Sequence, residues 1–200
     1  MPKGVQEGVM FREISVEELP GNPFIGATVG HVLVSAGNIK EGGRFPYNAT
    51  TASWGALGWL WDRFVATAYL RPQSATKKLV DGADRFAFSF FSPKYTEALA
   101  LGGKEPGPPP KCFCSPFSFL MGQILAKCGW DTVRLTPYSV DGTVSFKQAS
   151  LILICKKLYQ APLSADGFTT SDLSEQFYDA DDFHTLYLGE ILKVYVKNTS

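Results

Sequence analysis

The chain has 200 residues, a length that suits one domain with a substantial apolar core. Its 19 basic and 19 acidic residues balance, so no net charge attracts it to nucleic acid or to an anionic membrane surface. No apolar run approaches the roughly 20 residues needed to cross a bilayer. We therefore expect a globular protein with neither nucleic acid nor a membrane as its partner.

The first residues and the cysteines predict a cytoplasmic location. Lys3, Glu7 and Arg12 are charged, and no apolar segment of a secretory signal accompanies them. The chain has four cysteines, too few for a disulfide scaffold, and reduced thiols are expected. Cys112 and Cys114 are separated by one residue, which is not the usual spacing of structural zinc ligands, so no metal site is predicted.

The predicted elements are mostly strands separated by turns. Taken in chain order, the strand-like segments are 29–36, 45–53, 64–70, 86–91, 135–140, 148–159 and 184–196. Short helices are predicted over 75–80, 95–101 and 117–128, a Pro-rich loop over 104–119, and a polar stretch over 165–182. Six or more strands with only short helices predict a mainly β fold, either an antiparallel barrel or a sandwich.

The segment that follows the strand 64–70 has the composition of an anion site. Arg71 comes where the strand ends, and the short helix that follows begins with polar residues. Free N–H groups at a helix N-terminus bind phosphate, and arginine adds paired hydrogen bonds. The alternative is a capped helix whose charges are solvated. The candidate residues are Arg71, Gln73, Ser74, Thr76 and Lys77.

A second polar segment, 48–55, combines amide, hydroxyl and indole groups with small side chains. Small residues let a planar ligand approach the backbone, and Asn and Thr can hydrogen-bond to the edges of its ring. The alternative is a Thr-rich strand with a core tryptophan. Together the two segments suit a ligand with a flat polar ring and a phosphate, such as FMN. The candidate ring-binding residues are Asn48, Thr50, Thr51, Ala52, Ser53 and Trp54.

The chain has two histidines, of which His184 is the better functional candidate. It follows an acidic run and begins a predicted strand, where it could contact a nicotinamide or donate a hydrogen bond to a ligand. A turn residue is the alternative. His31 lies in a strand-like stretch and is interpreted as structural.

These segments together resemble a known family, the flavin reductase-like proteins of the FMN-binding split-barrel fold, particularly its flavoredoxin-like branch. The matching segments run in the family's order from about residue 15 onwards. They are Glu18-Leu19-Pro20-Gly21-Asn22-Pro23, Thr50-Thr51-Ala52-Ser53-Trp54-Gly55, Arg71-Pro72-Gln73 with Thr76, Phe88-Ser89-Phe90-Phe91, Lys156-Lys157-Leu158-Tyr159, and His184 to Ile191.

The resemblance implies a six-stranded Greek-key split β-barrel with short peripheral helices, in one domain spanning 1–200. Residues 1–14 are expected to be loose and 104–119 to form a variable loop. The resemblance also implies a homodimer with FMN near the subunit interface. In this view the segment from Asn48 to Trp54 lines the ring and ribityl chain, the loop from Arg71 to Lys77 holds the phosphate, and His184 lies near the face where a nicotinamide stacks.

The implied activity is that of an FMN-dependent flavin reductase. NADH or NADPH would donate a hydride to bound flavin, and electrons would then pass to a small-molecule acceptor or a redox partner protein. The loop 104–119 differs from the family pattern, which keeps a second hypothesis open: an FMN-binding electron carrier that does not use NAD(P)H. A third is a flavin-free binding protein on the same barrel.

Overall fold

A computed structural model describes residues 10–20, 31–38, 47–96, 99, 135–178 and 182–198 of the chain. Its strands are β1 (Phe11–Ile14), β2 (Val32–Gly37), β3 (Tyr47–Thr51), β4 (Gly55–Leu60), β5 (Arg63–Leu70), β6 (Arg85–Phe90), β7 (Pro137–Val140), β8 (Thr143–Phe146), β9 (Leu151–Pro162) and β10 (Thr185–Lys197). Its α-helices are α1 (Ala75–Gly82) and α2 (Ser171–Phe177). Three short 3-10 turns cover Val16–Glu18, Pro93–Tyr95 and Ala165–Gly167.

The predicted mainly β, antiparallel fold is confirmed. Eight strands form one sheet in the order β3-β2-β6-β9-β10-β5-β4, with β1 also paired to β10, and every neighbouring pair is antiparallel. A separate hairpin, β7–β8, turns at Asp141-Gly142, where both residues have the positive φ that a tight two-residue hairpin turn requires. Within the described ranges the path ends at β3 and β4, so closure into a split barrel stays a prediction.

The longest strand, β10, organises the sheet. One of its edges pairs with β9 along almost its whole length, while the other pairs first with β5 and then with β1. The register against β9 shifts after Leu188, and at the next position a Cβ on Gly189 would lie 2.7 Å from the buried Phe86 ring. The absence of a side chain at Gly189 therefore leaves room for the Phe86 ring of β6 against β10.

Apolar clusters cover both faces of the central strands. On β2, Val32 and Val34 belong to one cluster and Leu33 to the other, as the alternation of side chains along a strand dictates. The continuous apolar run of β9, Leu151 to Cys155, is buried because both of its faces are covered. Helix α1 packs against β2 and β3 and contributes Val80 to the first cluster.

Several elements differ from the sequence-based expectation. Residues 11–14 were expected to be loose but form β1, because β10 extends far enough to pair with them. Strands β4 and β8 were not predicted, and the polar stretch 165–182 contains the unpredicted helix α2. The loop 104–119 and the predicted helix 117–128 lie outside the described residues, as does most of 95–101.

Strand β4 is an edge strand and carries exposed aromatic residues. Trp59 is 60% exposed and Trp61 59% exposed, although Trp59 touches Phe64 edge-on at 4.8 Å. Trp61 and Asp62 both have positive φ, so they form the tight two-residue turn that joins β4 to β5. Among the described residues, no helix is long and apolar enough to cross a membrane.

Candidate functional site

The two segments predicted to bind a ligand lie near one another in the fold. The first segment, 48–55, contains most of strand β3 and the residues after it. The second is the turn between β5 and α1, and α1 packs on β3. Antiparallel pairing of β10 with β5 brings Thr185 opposite Leu70, which puts His184 beside Arg71 at the same end of the sheet. The topology thus collects side chains that are more than a hundred residues apart in sequence.

Arg71 is held by the segment that follows α2. One Nη donates to the carboxylate of Asp182, and the other donates to the carbonyl oxygen of Phe177 at 3.1 Å. The guanidinium also lies 5.6 Å from the ring centre of Tyr178. Gln73 adds a hydrogen bond from its Nε2 to the same Asp182 oxygen at 3.3 Å. Arg71 and Gln73 therefore form one donor group around a single carboxylate oxygen.

The start of α1 retains free hydrogen-bonding capacity. The Ser74 backbone N–H donates to the Arg71 carbonyl at 3.0 Å, which closes the turn, but the Ser74 side chain makes no capping hydrogen bond. In the first turn Thr76 is fully buried, and its hydroxyl oxygen has no hydrogen-bond partner in the described residues. A buried hydroxyl without a partner is the kind of group that a ligand oxygen or a water satisfies.

Lys77 faces a different set of partners. Its Nζ donates to Asp81 at 2.8 Å, and Asp81 also accepts a hydrogen bond at 2.5 Å from the buried Tyr187 hydroxyl. Lys157 donates to the carbonyl oxygens of Val80 and Asp81 near the end of the helix. These contacts fasten α1 to the sheet, and they engage Lys77 in a structural ion pair.

The residues predicted to line a ring divide between the two faces of β3. Pairing with β2 puts Asn48 and Thr50 opposite Ala36 and Val34, on the side that carries α1. Thr51 faces the opposite side together with Ala49. Asn48 and Ala52 are buried, whereas Ser53 is exposed beyond the strand. The structure thus brings Asn48, Thr50 and Ala52 together on the α1 side and does not bring Thr51 with them.

Trp54 and His184 belong to one aromatic cluster. Their ring centres are 4.7 Å apart, and Trp54 also meets Phe177 edge-on at 5.4 Å. Tyr178 joins the cluster through a hydrogen bond of 3.1 Å between its hydroxyl and His184 Nδ1, and Phe168 and Phe183 pack against the Tyr178 ring. Because Tyr178 also lies beside Arg71, it connects the aromatic cluster to the group formed by Arg71, Gln73 and Asp182.

His184 is uncharged at neutral pH in this environment. It is only 7% exposed, and burial together with the neighbouring Arg71 charge lowers its pKa to about 4, although the Asp182 carboxylate acts in the opposite direction. The hydrogen bond from Arg71 in turn lowers the pKa of Asp182. A neutral imidazole can accept or donate one hydrogen bond without bringing a second positive charge next to Arg71.

Sequence reasoning missed Phe177, Tyr178 and Asp182 as site residues. The acidic run before His184 was noted, but nothing in it indicated which carboxylate would reach Arg71, 111 positions earlier in the chain. Aromatic residues interleaved through the stretch 165–182 were the available signal. The polar composition of that stretch instead favoured a loop.

The donor set fits a phosphate group, and the aromatic cluster fits a flat ring. Arginine, an amide N–H and an uncapped helix start are typical phosphate ligands, and the unpartnered Thr76 hydroxyl lies in the same helical turn. Trp54 offers a ring surface beside Tyr178. Cys155 is buried and free, with a pKa raised by burial, while Cys112, Cys114 and Cys128 lie outside the described residues.

No family model matches this sequence, and no curated protein sequence matches it. Its fold is nevertheless similar to that of solved proteins. An FMN-binding domain of a flavin reductases-like enzyme from Shewanella baltica aligns with a TM-score of 0.56 at 10% identity, covering 94% of this chain and 77% of its own.

Two further structures are similar. Flavoredoxin from Methanosarcina acetivorans aligns with a TM-score of 0.52 at 14% identity, covering 84% of this chain and 68% of its own. The NADH:FAD oxidoreductase SgcE6 of Streptomyces globisporus aligns with a TM-score of 0.50 at 14% identity, covering 82% and 74%. The predicted resemblance is therefore confirmed at the level of the fold: this chain folds like the flavin reductase-like FMN-binding proteins and flavoredoxins.

Proposed function

We propose that this protein is an FMN-binding oxidoreductase of the flavin reductase type, which moves a hydride from NADH or NADPH to bound flavin and electrons onwards to an acceptor. One observation carries the proposal. Tyr178 contacts Arg71, which with Gln73 lies just before α1, and it also contacts the rings of Trp54 and His184. A phosphate site next to an aromatic surface suits a flavin mononucleotide.

The roles follow from the chemistry of each group. Arg71, Gln73, Ser74 and Thr76 would bind the phosphate, with Lys77 adding positive charge at the helix start. FMN, when bound, supplies the hydride and electron chemistry. The protein orients the flavin and excludes water around it. The residues proposed to line the ring and the ribityl chain are Asn48, Thr50, Ala52, Ser53 and Trp54, whereas Thr51, predicted with them, faces the opposite side of β3.

His184 is proposed to position the nicotinamide of the donor. It is neutral and held by Tyr178, so it can offer a hydrogen bond from a fixed position. No general acid or base is required for hydride transfer, and this role asks only for placement. The similarity in fold to an NADH:FAD oxidoreductase supports a pyridine nucleotide as the donor.

We also propose closure of the sheet into the split barrel and assembly as a homodimer in the cytoplasm. The exposed indole rings of Trp59 and Trp61 support association with a second copy. Sedimentation velocity over a range of concentrations tests the assembly. A dimer is expected, and a monomer at every concentration would contradict it.

A second candidate function is that of an FMN-binding electron carrier without direct NAD(P)H use. It is favoured by the burial of His184, whose ring is covered by Trp54 and whose Nδ1 is engaged by Tyr178. A nicotinamide could reach the His184 ring only if Trp54 or Tyr178 moved. The fold similarity to flavoredoxin is consistent with such a carrier.

One experiment separates these functions. The purified protein is mixed with FMN and desalted, its visible spectrum is recorded, and NADH or NADPH is then added without oxygen. Retained flavin bands that bleach with either donor support the reductase. Bands that persist with both donors and bleach with dithionite support the carrier. Protein that retains no flavin and shows no FMN affinity by titration supports a flavin-free binding protein on this fold.

A further inference from the structure

Asp182 occupies the donor group to which a phosphate would bind. We propose that its carboxylate competes with the ligand phosphate for Arg71 and Gln73, so that FMN binds as an exchangeable ligand and Asp182 sets its affinity. This inference rests on the proposed function, because it concerns the same site. It assigns a role to a residue outside the motifs that carry the family resemblance.

The first step is geometric. A phosphate pairs with arginine through two parallel N–H groups, and in this structure both Nη atoms of Arg71 are already engaged. One binds Asp182 and the other binds the Phe177 carbonyl at 3.1 Å. Gln73 is engaged by the same Asp182 oxygen. A phosphate at Arg71 would therefore meet a guanidinium whose charge is already paired with a carboxylate.

The second step concerns how well Asp182 is bound. Its Oδ2 accepts both hydrogen bonds, whereas its Oδ1 is buried and has no hydrogen-bond partner in the described residues. A carboxylate with hydrogen bonds to only one of its oxygens has lost water at the other oxygen without gaining a protein donor there. Displacement into water would restore that hydration, which lowers the cost of releasing Arg71.

The third step is access and charge. The Arg71 side chain is 41% exposed and that of Asp182 21% exposed, so an incoming anion can reach the pair from solvent. Arg71 keeps the pKa of Asp182 below its usual range, and the carboxylate is therefore charged at neutral pH. A phosphate and this carboxylate repel one another, so a phosphate binds Arg71 less tightly while Asp182 remains paired with it.

The test compares Asp182→Asn with the parent protein. Asparagine keeps the size of the side chain but removes the charge that competes with phosphate. Three probes are titrated in a chloride buffer of low ionic strength: FMN, riboflavin and inorganic phosphate. Flavin binding is followed by fluorescence, and phosphate binding by its effect on the Arg71 Nε–H resonance. Glu175→Gln, which neutralises an exposed carboxylate on α2, is the matched control.

We expect Asp182→Asn to bind FMN and inorganic phosphate about fivefold more tightly, the scale of a partly exposed charge pair. Riboflavin has no phosphate, so its affinity should be unchanged. Glu175→Gln should match the parent with all three probes. Weaker or unchanged binding of FMN and phosphate by Asp182→Asn would overturn the proposal, because Asp182 would then hold Arg71 in position for the ligand or play no part.

The phosphate titration keeps this inference separate from the proposed function. Tighter phosphate binding by Asp182→Asn without any flavin binding would contradict the proposed function and the role in FMN exchange, but it would support the competition itself. FMN binding that is unaffected by Asp182→Asn would support the function and refute the competition. A far-ultraviolet circular dichroism spectrum equal to that of the parent confirms that the variant is folded.

Discussion

At the scale of single residues, the structural contacts of Arg71 oppose its proposed role in binding phosphate. In the free protein it joins the end of α2 to the turn before α1 through Phe177 and Asp182. Binding of a phosphate as proposed would weaken the pair with Asp182. The net contribution of Arg71 to binding is therefore smaller than the strength of an arginine–phosphate pair alone would indicate.

We expect Arg71→Ala to weaken FMN binding by about 1.5 kcal/mol, the lower end of the range for charge-assisted hydrogen bonds. The reason for the low value is that the parent protein gives up the Asp182 pair when it binds. Flavin fluorescence titration measures the change. Lys78→Ala removes an exposed charge on α1 and serves as the control. Its affinity for FMN should be close to that of the parent. An FMN affinity of Arg71→Ala equal to that of the parent would remove Arg71 from the site.

His184 makes the stability of the fold depend on pH. Its pKa is about 4 in the folded protein against an unperturbed value of 6.5, so between these values the unfolded chain binds a proton that the folded chain does not. The stabilisation from neutral His184 is fully present above pH 6.5 and is lost as the pH falls towards 4. The loss is at most about 1.4 kcal/mol per pH unit.

Urea unfolding at pH 7 and at pH 5 measures this dependence, because Asp182 remains charged over that interval. The parent protein is expected to lose stability on going to pH 5. His184→Gln has no titrating ring and should show a clearly smaller loss between the same two values. Equal losses in the parent and the variant would mean that His184 is readily protonated in the folded protein.

At the scale of elements, the packing of the Phe86 ring of β6 against β10 depends on Gly189. A Cβ there would lie 2.7 to 2.8 Å from the Phe86 ring and from the Cys155 Cβ, and all of these atoms are buried. We expect Gly189→Ala to lower the free energy of unfolding by about 1–3 kcal/mol, the usual cost of overpacking a core.

Gly58→Ala on the edge strand β4 is the matched control for that substitution. No atom lies within 4 Å of the Cβ position at Gly58, so a change within about 0.5 kcal/mol is expected. Chemical denaturation of both variants provides the comparison. A Gly189→Ala protein as stable as Gly58→Ala would show that Phe86 can move aside without cost.

The success of sequence-based prediction differed between elements for physical reasons. Strands β5, β6, β9 and β10 have long apolar or alternating patterns, which identify a strand in any context. Strand β4 has the sequence GALGWL, whose two glycines weaken a strand pattern. Helix α2, Ser171–Phe177, has only Leu173 and Phe177 as apolar residues, a pattern too short to identify a helix, and was assigned to a polar stretch.

The same reasoning explains which part of the site was foreseen. Arg71 and Gln73 precede a helix, and Trp54 and His184 stand in recognisable local motifs, so local sequence identified them. Asp182 and Tyr178 join the site through contacts between distant segments. Such contacts follow from the strand order, and the sequence alone predicted strands without their order.

At the scale of the whole molecule, ligand binding should be visible as a gain in thermal stability. A ligand that binds only the folded state at 100 times its Kd stabilises by about 2.7 kcal/mol. For a chain of this length that corresponds to a rise in Tm of roughly 5–10 °C. Differential scanning calorimetry with FMN measures it, and lumichrome, which lacks the ribityl phosphate, is the control. An unchanged Tm at saturating FMN would contradict flavin binding.

The position of β10 also determines when the sheet can be completed. It is the last strand in the described sequence, yet it joins β9 to β5 and also holds β1, about 180 residues earlier. During synthesis the edges of β5 and β9 that pair with β10 therefore remain unpaired until residues 185–197 have been made. Contacts of such long range slow folding and leave apolar strands open to association with other chains. Chains that stop before residue 185 are accordingly expected to aggregate.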